Sequence, residues 1–348
     1  MTPGVVRLAL RRAVREVRYV EVVRARRAKG LVGQVYRQIE RDFGMLAPPV
    51  ALHAAAPPVL AAAWAMLRES LIAGGAASRV AKEVVATSVS EGNACPYCVE
   101  VHGMTLGSLG SPAEAAMIES GECAAIEDTD TRELARWARG EGPLPDGISP
   151  STAAELTAVA VVFHYLNRMV NVFLGPSPLP PAVPSSARPK VRDVLGRFLK
   201  PGTPPKPGAA LDLLPKSAVE SPLWTNENPV IADAFARAGE TIITAASWIP
   251  PGVRRLVTRE VAVWDGRPPG LSRAWLDPVV AELPEDERPA ARLALLVAKA
   301  AYQVDADVVH DSGLGDRGLI ELTAWASFTA AAELGSRPRH GAARRVMP

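Results

Sequence analysis

One segment of the chain, from Glu83 to His102, holds two of its three cysteines and one of its five histidines. The segment reads glutamate, eleven residues, Cys95-x-x-Cys98, three residues, histidine. A carboxylate, a vicinal dithiol and an imidazole are the groups needed to form, use and regenerate a reactive thiolate. The spacing therefore restricts both the local structure and the chemistry of this part of the chain.

The same spacing predicts a helix through the dithiol. Asn93 is a residue type that caps helix N-termini, and Pro96 is tolerated in a first turn, where its missing N–H would have no helical partner. With that start, both cysteines fall in the opening turns, where the helix dipole favours a thiolate. His102 lies four residues after Cys98 and therefore over it, but seven after Cys95, about 10 Å along the axis. We expect the imidazole to serve Cys98.

The position of the imidazole separates the roles of the two thiols. We assign Cys98 as the thiolate that attacks a hydroperoxide and Cys95 as the resolving thiol that closes the disulfide. His102 would accept the proton of Cys98 and deliver it to the departing alkoxide. Glu83 would hold the imidazole in its tautomer, directly or through water.

Three other uses of the dithiol fit parts of this pattern. A c-type haem site needs histidine directly after the second cysteine, where Val99 stands, so we expect no haem. A zinc site from Cys95, Cys98, His102 and Glu83 stays open, although structural zinc usually takes its second ligand pair from elsewhere in a chain. An inert pair of buried cysteines also stays open. We favour dithiol redox chemistry, with no metal and no bound organic cofactor.

The complete pattern resembles that of the alkylhydroperoxidase AhpD family, within the wider carboxymuconolactone decarboxylase-like superfamily. The resemblance implies an all-helical, oligomeric protein that acts as a peroxidase or disulfide reductase, with the second cysteine attacking peroxide. It would make Glu83, Cys98 and His102 the proton relay and Cys95 the resolving thiol. Some members of the family carry a histidine where this chain has Tyr97.

A second polar feature lies on an apolar helical stretch within the same resemblance, which covers about residues 50 to 175. His164, Asn167, Arg168 and Asn171 follow the i, i+3, i+4, i+7 spacing of one helix face. A polar stripe on an apolar helix is costly unless its groups are paired. It therefore lines a cavity, meets another subunit or forms an ordinary hydrogen-bonded helix contact, and we assign His164 no catalytic role.

Composition favours helices and limits the partners. Alanine and leucine dominate, and the net charge of +2 is too small to indicate a nucleic-acid-binding protein. No segment approaches the ~20 apolar residues of a membrane helix, and the arginine-rich N-terminus contains no signal-type apolar stretch. We expect no membrane span and a cytoplasmic location, where reductants would keep a dithiol cycling.

The chain divides into five predicted segments. These are a basic helical arm (1–45), an AhpD-like catalytic domain (46–175), a proline-rich linker (176–222), a degenerate AhpD-like domain (223–336) and a basic tail (337–348). Val6, Leu10, Val14 and Val17 recur at helical spacing in the arm, which we expect to dock on its own protein or a partner subunit; a membrane-surface helix is the alternative. The linker contains twelve prolines, with one short helix expected over 191–199.

Three short stretches recur in the same order in the two halves, which predicts a duplicated helical domain. The matched stretches are 58–64 with 229–235, 79–84 with 256–261, and 155–158 with 321–324. The second copy has no cysteine, and counting from Glu260 places Ser272 and Trp275 where the two cysteines would fall. We therefore predict an all-α protein of tandem AhpD-like domains, the second of which is degenerate and shapes the first site.

The expected function is thiol-dependent reduction of organic hydroperoxides or disulfides through a Cys95–Cys98 disulfide cycle, in an antioxidant role. The resemblance implies an external dithiol, lipoyl-type or thioredoxin-type reductant, and a homo-oligomer. Two alternatives stay open: a decarboxylase or isomerase of the wider superfamily, and a non-catalytic redox switch or scaffold. The vicinal thiols argue against decarboxylation, which does not need them.

Overall fold

A computed structural model describes residues 16–179, 183–199 and 202–337 of the chain. Within those residues every regular element is helical, which confirms the predicted all-α class. The α-helices are α1 (Gly30–Asp42), α2 (Pro48–Ala51), α3 (Pro57–Leu67), α4 (Arg79–Gly92), α5 (Pro96–Ser108), α6 (Pro112–Glu119), α7 (Thr129–Ala138), α8 (Pro150–Phe173), α9 (Arg188–Leu199), α10 (Pro229–Ala245), α11 (Pro251–Ala262), α12 (Leu276–Val280), α13 (Arg288–Ala300), α14 (Ala306–Asp311) and α15 (Asp316–Ser336).

Proline and short polar residues determine where many of these helices begin. Helices α3, α5, α6, α8, α10, α11 and α13 have proline in the first turn, where no N–H is needed. Ser78, Ser149 and Asn228 cap α4, α8 and α10 by accepting a hydrogen bond from a backbone N–H of the first turn. Both signals are local, so these helix starts follow from the sequence without reference to tertiary packing.

Buried side chains from both halves of the chain form one continuous hydrophobic core. Helix α8 runs through it, with Phe163, Tyr165 and Phe173 fully buried. Among the described residues α8 is also the one helix long and apolar enough to cross a membrane, which corrects the expectation that no segment approaches that length and apolarity. Of its most apolar stretch, 89% is buried inside the protein. Burial on all sides explains why this helix is apolar around most of its circumference.

The most extensive helix contacts join the matched stretches of the two halves. Helix α3 packs against α10, and α8 packs against α15. The second pair approaches so closely that a Cβ atom at Gly335 would collide with Val161. Pairing of each helix with its own counterpart is the pattern of a twofold interface between two copies of one unit. The division into two domains stays a prediction, and this pairing supports it.

The described part of the basic arm docks on the protein, with α1 helical over Gly30–Asp42 and the residues before it mostly not helical. Val6, Leu10 and Val14, on which the predicted helix depends, lie outside the described residues. From residue 17 to α1 the described chain is helical only in the 3₁₀ segment Ala25–Arg27, so the continuous helix predicted for the arm is wrong over that stretch. The Arg18 backbone N–H donates to Phe173 O (2.8 Å), and its guanidinium donates to the last carbonyl groups of α8, which have no helical partner.

The described part of the proline-rich linker packs on the surface of the first half. Its helix α9 confirms the helix predicted over 191–199 and packs on α5, where Gly196 allows close approach to the Met104 carbonyl. Further along, Gly208 N and Ala210 N donate to the buried carboxylate of Glu69 (2.7 and 2.9 Å). Beyond Arg337 the predicted basic tail lies outside the described residues.

Candidate active site

The turn that leads into the dithiol helix differs from the prediction. Helix α5 begins at Pro96 with Cys95 as its N-cap residue, so the predicted N-cap at Asn93 is wrong. Asn93 instead ends α4, because its backbone N–H is still hydrogen-bonded to the last turn of that helix. Ala94 then takes a left-handed conformation, with φ at 50°, which lets the chain turn directly into α5. Cys98 falls in the first turn of α5, as predicted.

Both thiols are free, buried and close to each other. Cys95 is 0% and Cys98 4% exposed, and the Cys98 thiol lies within hydrogen-bond reach of Cys95 and of the Asn167 side chain. Burial raises the pKa of Cys98 well above its ordinary value, and the hydrogen bond and charge of Cys95 raise it further. The contact with Asn167 lowers that pKa in part. Cys98 therefore rests as a thiol and needs a base in order to attack.

A carboxylate and an imidazole lie where the sequence predicts that base. His102 Nδ1 is 2.7 Å from Glu83 Oε2, and Arg79 Nε donates to Glu83 Oε1 (2.8 Å). Burial alone would raise the pKa of Glu83, but Arg79 and His102 together hold it below its ordinary value. Because an ionised carboxylate only accepts hydrogen bonds, His102 carries its proton on Nδ1 and keeps Nε2 for other groups. The Phe163 ring meets the imidazole edge-on at 4.5 Å.

Cys98 and His102 open onto one apolar cavity of about 80 Å³, which we call the Cys98 cavity. Its other walls come from α2, α3, α5, α8, the linker with its helix α9, and the segments that follow α1 and α3. The remaining lining residues are Phe43, Met45, Ala47, Pro48, Pro49, Val50, Leu67, Leu71, Tyr97, Val101, Met104, Phe163, Leu166, Pro178, Leu195 and Leu199. A narrow apolar cavity of this kind admits a hydrocarbon group and excludes hydrated ions.

Tyr97, which stands at the position where some AhpD-like proteins carry histidine, lines the same cavity. The residue is 8% exposed. Burial raises the pKa of its hydroxyl, and the neighbouring Cys98 and Cys95 raise it further. Tyr97 therefore stays neutral and presents an aromatic wall beside the thiols, where a histidine would have offered a second titrating base.

The polar stripe on α8 forms hydrogen bonds to the turn that precedes the dithiol. Asn93 Nδ2 donates to Asn167 Oδ1 (2.9 Å) and lies 3.1 Å from His164 Nδ1. Asn167 Nδ2 donates to Ser90 Oγ (3.0 Å), and Asn171 Nδ2 reaches the carbonyl groups of Asn93 and its neighbour at 3.3 Å. Of the predicted alternatives for the stripe, a hydrogen-bonded helix contact describes these residues. Through Asn167 the same network extends to Cys98.

The fourth residue of the stripe points to the other half of the protein. Arg168 donates to Ala298 O (2.8 Å) near the C-terminal end of α13 and stacks over the Trp264 ring at 5.7 Å. Burial lowers the pKa of Arg168 to about 9. A cation against the carbonyl end of a helix is favourable, so this residue joins the halves and takes no part in the dithiol site.

The second half holds different groups at the predicted counterpart positions. Trp275 is the N-cap residue of the short helix α12, and Lys299 lies over its ring at 5.5 Å while pairing with Glu260 (2.9 Å). The counterpart of Glu83 is offset, because Glu83 lies four residues after the start of α4 and Glu260 two residues before the end of α11. That stretch of the predicted repeat therefore matches in sequence but not in position along the helix.

The predicted zinc alternative finds no support in the geometry. Across residues 16–179, 183–199 and 202–337, no group of three or more His, Cys, Asp and Glu side chains is arranged to hold a metal ion.

Sequence reasoning missed Arg79 and Asn167 as members of the site. Arg79 stands four residues before Glu83, the spacing of a helical ion pair, and Asn167 belongs to the stripe, so each had a signal in the sequence.

The fold and the dithiol together define a class: the chain belongs to the AhpD-like family of alkyl hydroperoxide reductases. It is 37% identical over 331 residues to the alkyl hydroperoxide reductase Rv2159c of Mycobacterium tuberculosis, and the match covers 92% of this chain and 94% of that protein. No family model and no solved structure matches the chain.

Proposed function

We propose that the protein reduces organic hydroperoxides with the thiols of Cys98 and Cys95. The observation that carries the proposal is the shared cavity: a buried thiol and an imidazole oriented by a carboxylate face one apolar space. The relative from Mycobacterium tuberculosis, named as an alkyl hydroperoxide reductase, supports the same reaction class. The substrate would enter the Cys98 cavity with its organic group against the apolar walls.

In the first step His102 Nε2 takes the proton of Cys98. The thiolate then attacks the terminal oxygen of the hydroperoxide, so that a sulfur–oxygen bond forms and the oxygen–oxygen bond breaks. The alkoxide takes the proton back from His102 and leaves as the alcohol. Glu83 stabilises the imidazolium that exists between these two transfers, and Arg79 keeps Glu83 ionised.

Asn167 would assist this step by donating a hydrogen bond to the thiolate. Its side chain is fully buried and lies within reach of the Cys98 sulfur. A donor that meets the ionised form of an acid favours ionisation. Asn93 and Ser90 hold the Asn167 amide in place, so the donor does not need to reorganise when charge develops on sulfur.

In the second step the Cys95 thiol attacks the sulfenic sulfur of Cys98. The sulfur–oxygen bond breaks, water leaves and a disulfide forms, so that the two thiols together have lost the two electrons that reduced the peroxide. Only a small movement is needed, because the two thiols already lie within hydrogen-bond reach.

An external dithiol of lipoyl type or thioredoxin type would then reduce the disulfide by thiol exchange. An open groove of about 610 Å³ reaches Cys95, and its lining residues include Glu100, Arg188 and Arg192 but none from the Cys98 cavity. Peroxide and reductant would thus approach different thiols by different routes. Such cycling needs a reducing compartment, which favours the cytoplasm, and a homo-oligomer remains part of the proposal by family resemblance.

A redox switch is the second candidate, and the closure of the site favours it. Both cysteines are almost completely buried beneath other segments, including α9. A switch would oxidise once and hold its disulfide, whereas a peroxidase would turn over for as long as dithiol and peroxide last.

The test is dithiol-dependent consumption of cumene hydroperoxide, measured for wild-type protein and for Cys98→Ser, Cys95→Ser and His102→Ala. Cys123→Ser is the matched control, because that third thiol is also buried but lies outside the dithiol segment. Turnover that survives only in wild type and the control supports the proposal. A single oxidation event without turnover in wild type would move the function to a switch.

A further inference from the structure

The Cys98 cavity has a charged neighbour that the proposed reaction does not use. We propose that the two spaces together bind an unbranched acyl hydroperoxide whose carboxylate lies outside the apolar cavity, as in a free fatty acid. This substrate assignment rests on the proposed peroxidase function.

The neighbouring space is an open groove of about 590 Å³ between the end of α1, the start of α4 and the end of α9. We call it the Arg41 groove. Its lining includes the cationic side chains Arg41, Arg79 and Lys82, and one carboxylate, Asp42. Ser78, the N-cap of α4, also lines it, so the positive end of that helix dipole opens onto the groove.

Arg41 is by far the most exposed of these cations. Lys82 is almost fully buried and pairs with Glu155 (3.0 Å), while Arg79 is held by Glu83. The Arg41 side chain is 60% exposed and pairs with Asp42 through Nε and Nη2 (2.6 and 3.0 Å). A guanidinium has five N–H donors, so Arg41 can bind a second carboxylate beside the first.

The groove and the cavity share part of their walls. Phe43, Leu71 and Leu199 line both spaces, so three apolar side chains form the boundary that the groove shares with the cavity. The hydrogen-bonded chain from Arg79 through Glu83 to His102 also spans the two spaces, with contacts of 2.8 and 2.7 Å. The groove therefore lies within a short acyl chain's length of the reacting thiol.

These features select one substrate chemistry. A narrow apolar cavity accepts an unbranched hydrocarbon chain more readily than a bulky one, and a cationic rim adds affinity for an anion at one end. An acyl chain with its carboxylate at Arg41 would carry its hydroperoxide, part-way along the chain, past Cys98. A neutral hydroperoxide would gain binding affinity from the apolar walls of the cavity but none from the cations of the groove.

The experiment compares kcat/KM for linoleic acid hydroperoxide, its methyl ester and cumene hydroperoxide. Wild type is expected to favour the acid over the ester by about tenfold, the value of one charge-assisted hydrogen bond. Arg41→Gln should remove that preference and leave the ester and cumene hydroperoxide unchanged. Arg37→Gln is the control, because Arg37 is exposed one turn earlier on the same helix and does not line the groove.

Equal kcat/KM for acid and ester in wild type, or an equal loss for both in Arg41→Gln, would overturn the substrate assignment. Binding of oleic acid and methyl oleate to Cys98→Ser, measured by calorimetry, tests the same site without turnover. If no hydroperoxide is consumed but oleic acid binds more tightly than its ester through Arg41, the acyl site stands and the peroxidase function fails. If cumene hydroperoxide is consumed and the oleic acid preference is absent, the peroxidase stands and the acyl site fails.

Discussion

The two halves of this protein bury a glutamate in different ways. In the first half Glu83 is fully buried and joins Arg79 to an imidazole beside a dithiol. In the second half Glu260 pairs with Lys299, which lies over an indole ring, and its ion-pair partners among the described residues include no histidine. The first arrangement places an imidazole on the cavity that Cys98 also lines. The second is a closed ion pair, which supports packing and leaves nothing free to react.

The difference shows how one helical scaffold can carry a reactive site in one half and a structural contact in the other. The helix that presents the thiols runs over Pro96–Ser108, whereas its predicted counterpart is the short helix Leu276–Val280. With the dithiol helix reduced to one turn, the second half cannot place two cysteines and a histidine on one surface. The second half retains the helices that pack against their counterparts in the first half, α10 against α3 and α15 against α8.

The largest predicted effect comes from removing the imidazole of His102, one of the groups by which the first half differs from the second. His102→Ala leaves Cys98 with a pKa raised by burial and without a base beside it. We expect kcat/KM for a hydroperoxide to fall by about 10²-fold or more, the usual contribution of general acid–base catalysis. Steady-state kinetics at several pH values checks this, and an unchanged rate at neutral pH would remove His102 from the mechanism.

The second prediction tests the two glutamates directly. Glu83→Gln removes a buried charge that pairs with Arg79 and His102, and should cost about 3 kcal/mol in the free energy of unfolding together with most of the activity. Glu260→Gln, in the partly exposed pair of the second half, should cost about 1 kcal/mol and leave activity intact. Urea unfolding and peroxidase assays measure both. Equal effects of the two substitutions would mean that the halves do not differ as described.

The third prediction concerns acid stability, which should also depend on the first half. His53 is buried between Val50 O and the Tyr165 hydroxyl, and burial lowers its pKa from 6.5 to about 4. A lowered pKa in the folded state contributes stability that is present above pH 6.5 and is lost as the pH falls towards 4. The shift corresponds to about 3 kcal/mol.

Urea unfolding of wild type and His53→Gln between pH 7 and 4 measures that loss. We expect the difference in unfolding free energy between the two proteins to shrink as the pH falls. His310, the histidine of the second half, is largely exposed and serves as the comparison. A constant difference across this range would show that His53 does not titrate as described.

The fourth prediction tests the contact between the halves. Gly335→Ala places a methyl group against Val161 on α8, and should destabilise the protein by about 1–3 kcal/mol through overpacking. Gly318→Ala lies on the same helix α15 in ordinary van der Waals space, and should stabilise by about 0.5–1 kcal/mol through helix propensity. Thermal unfolding of the Gly335→Ala and Gly318→Ala variants, beside wild type, measures both changes in stability. Stabilisation by both substitutions would contradict the close approach of α8 and α15.

The smallest effect is expected at Asn167. Its replacement by leucine removes a donor near Cys98, so the pKa of that thiol should rise further and alkylation at neutral pH should slow by about tenfold. The rate of iodoacetamide labelling of Cys98, measured as a function of pH in proteins that also lack Cys95 and Cys123, tests this prediction. Ser90→Ala, which loses only the outer hydrogen bond of the network, should change the profile much less. Identical profiles for both variants would leave Asn167 a structural role only.

Much of this arrangement could be predicted from local pattern. The proline at the start of α5 and the four-residue step from Cys98 to His102 predicted the dithiol helix, and the alanine- and leucine-rich composition together with the family resemblance predicted the all-α class correctly. The N-cap was misplaced because α4 continues to Gly92 and the turn is made by Ala94 in a left-handed conformation, which alanine seldom adopts. Such a turn depends on tertiary hydrogen bonds from Asn171 that local sequence does not reveal.

Other features depend on contacts between distant parts of the chain. The bond between Glu83 and His102 could be anticipated, since the sequence offers one carboxylate and one imidazole at suitable spacing. The covering of the site by α9 could not, because a proline-rich segment contains no signal for the surface on which it lies. The stripe on α8 was visible as a pattern, but its partner at Asn93 follows only from the fold.

The central claim is that Cys98, and not Cys95, attacks the peroxide. Its most direct test is the site of sulfenic acid formation after one equivalent of hydroperoxide, trapped with dimedone and located by mass spectrometry. We expect an adduct on Cys98 in Cys95→Ser and no sulfenic acid on Cys95 in Cys98→Ser. An adduct on Cys95 in Cys98→Ser, with Cys98 unmodified in the other variant, would contradict it.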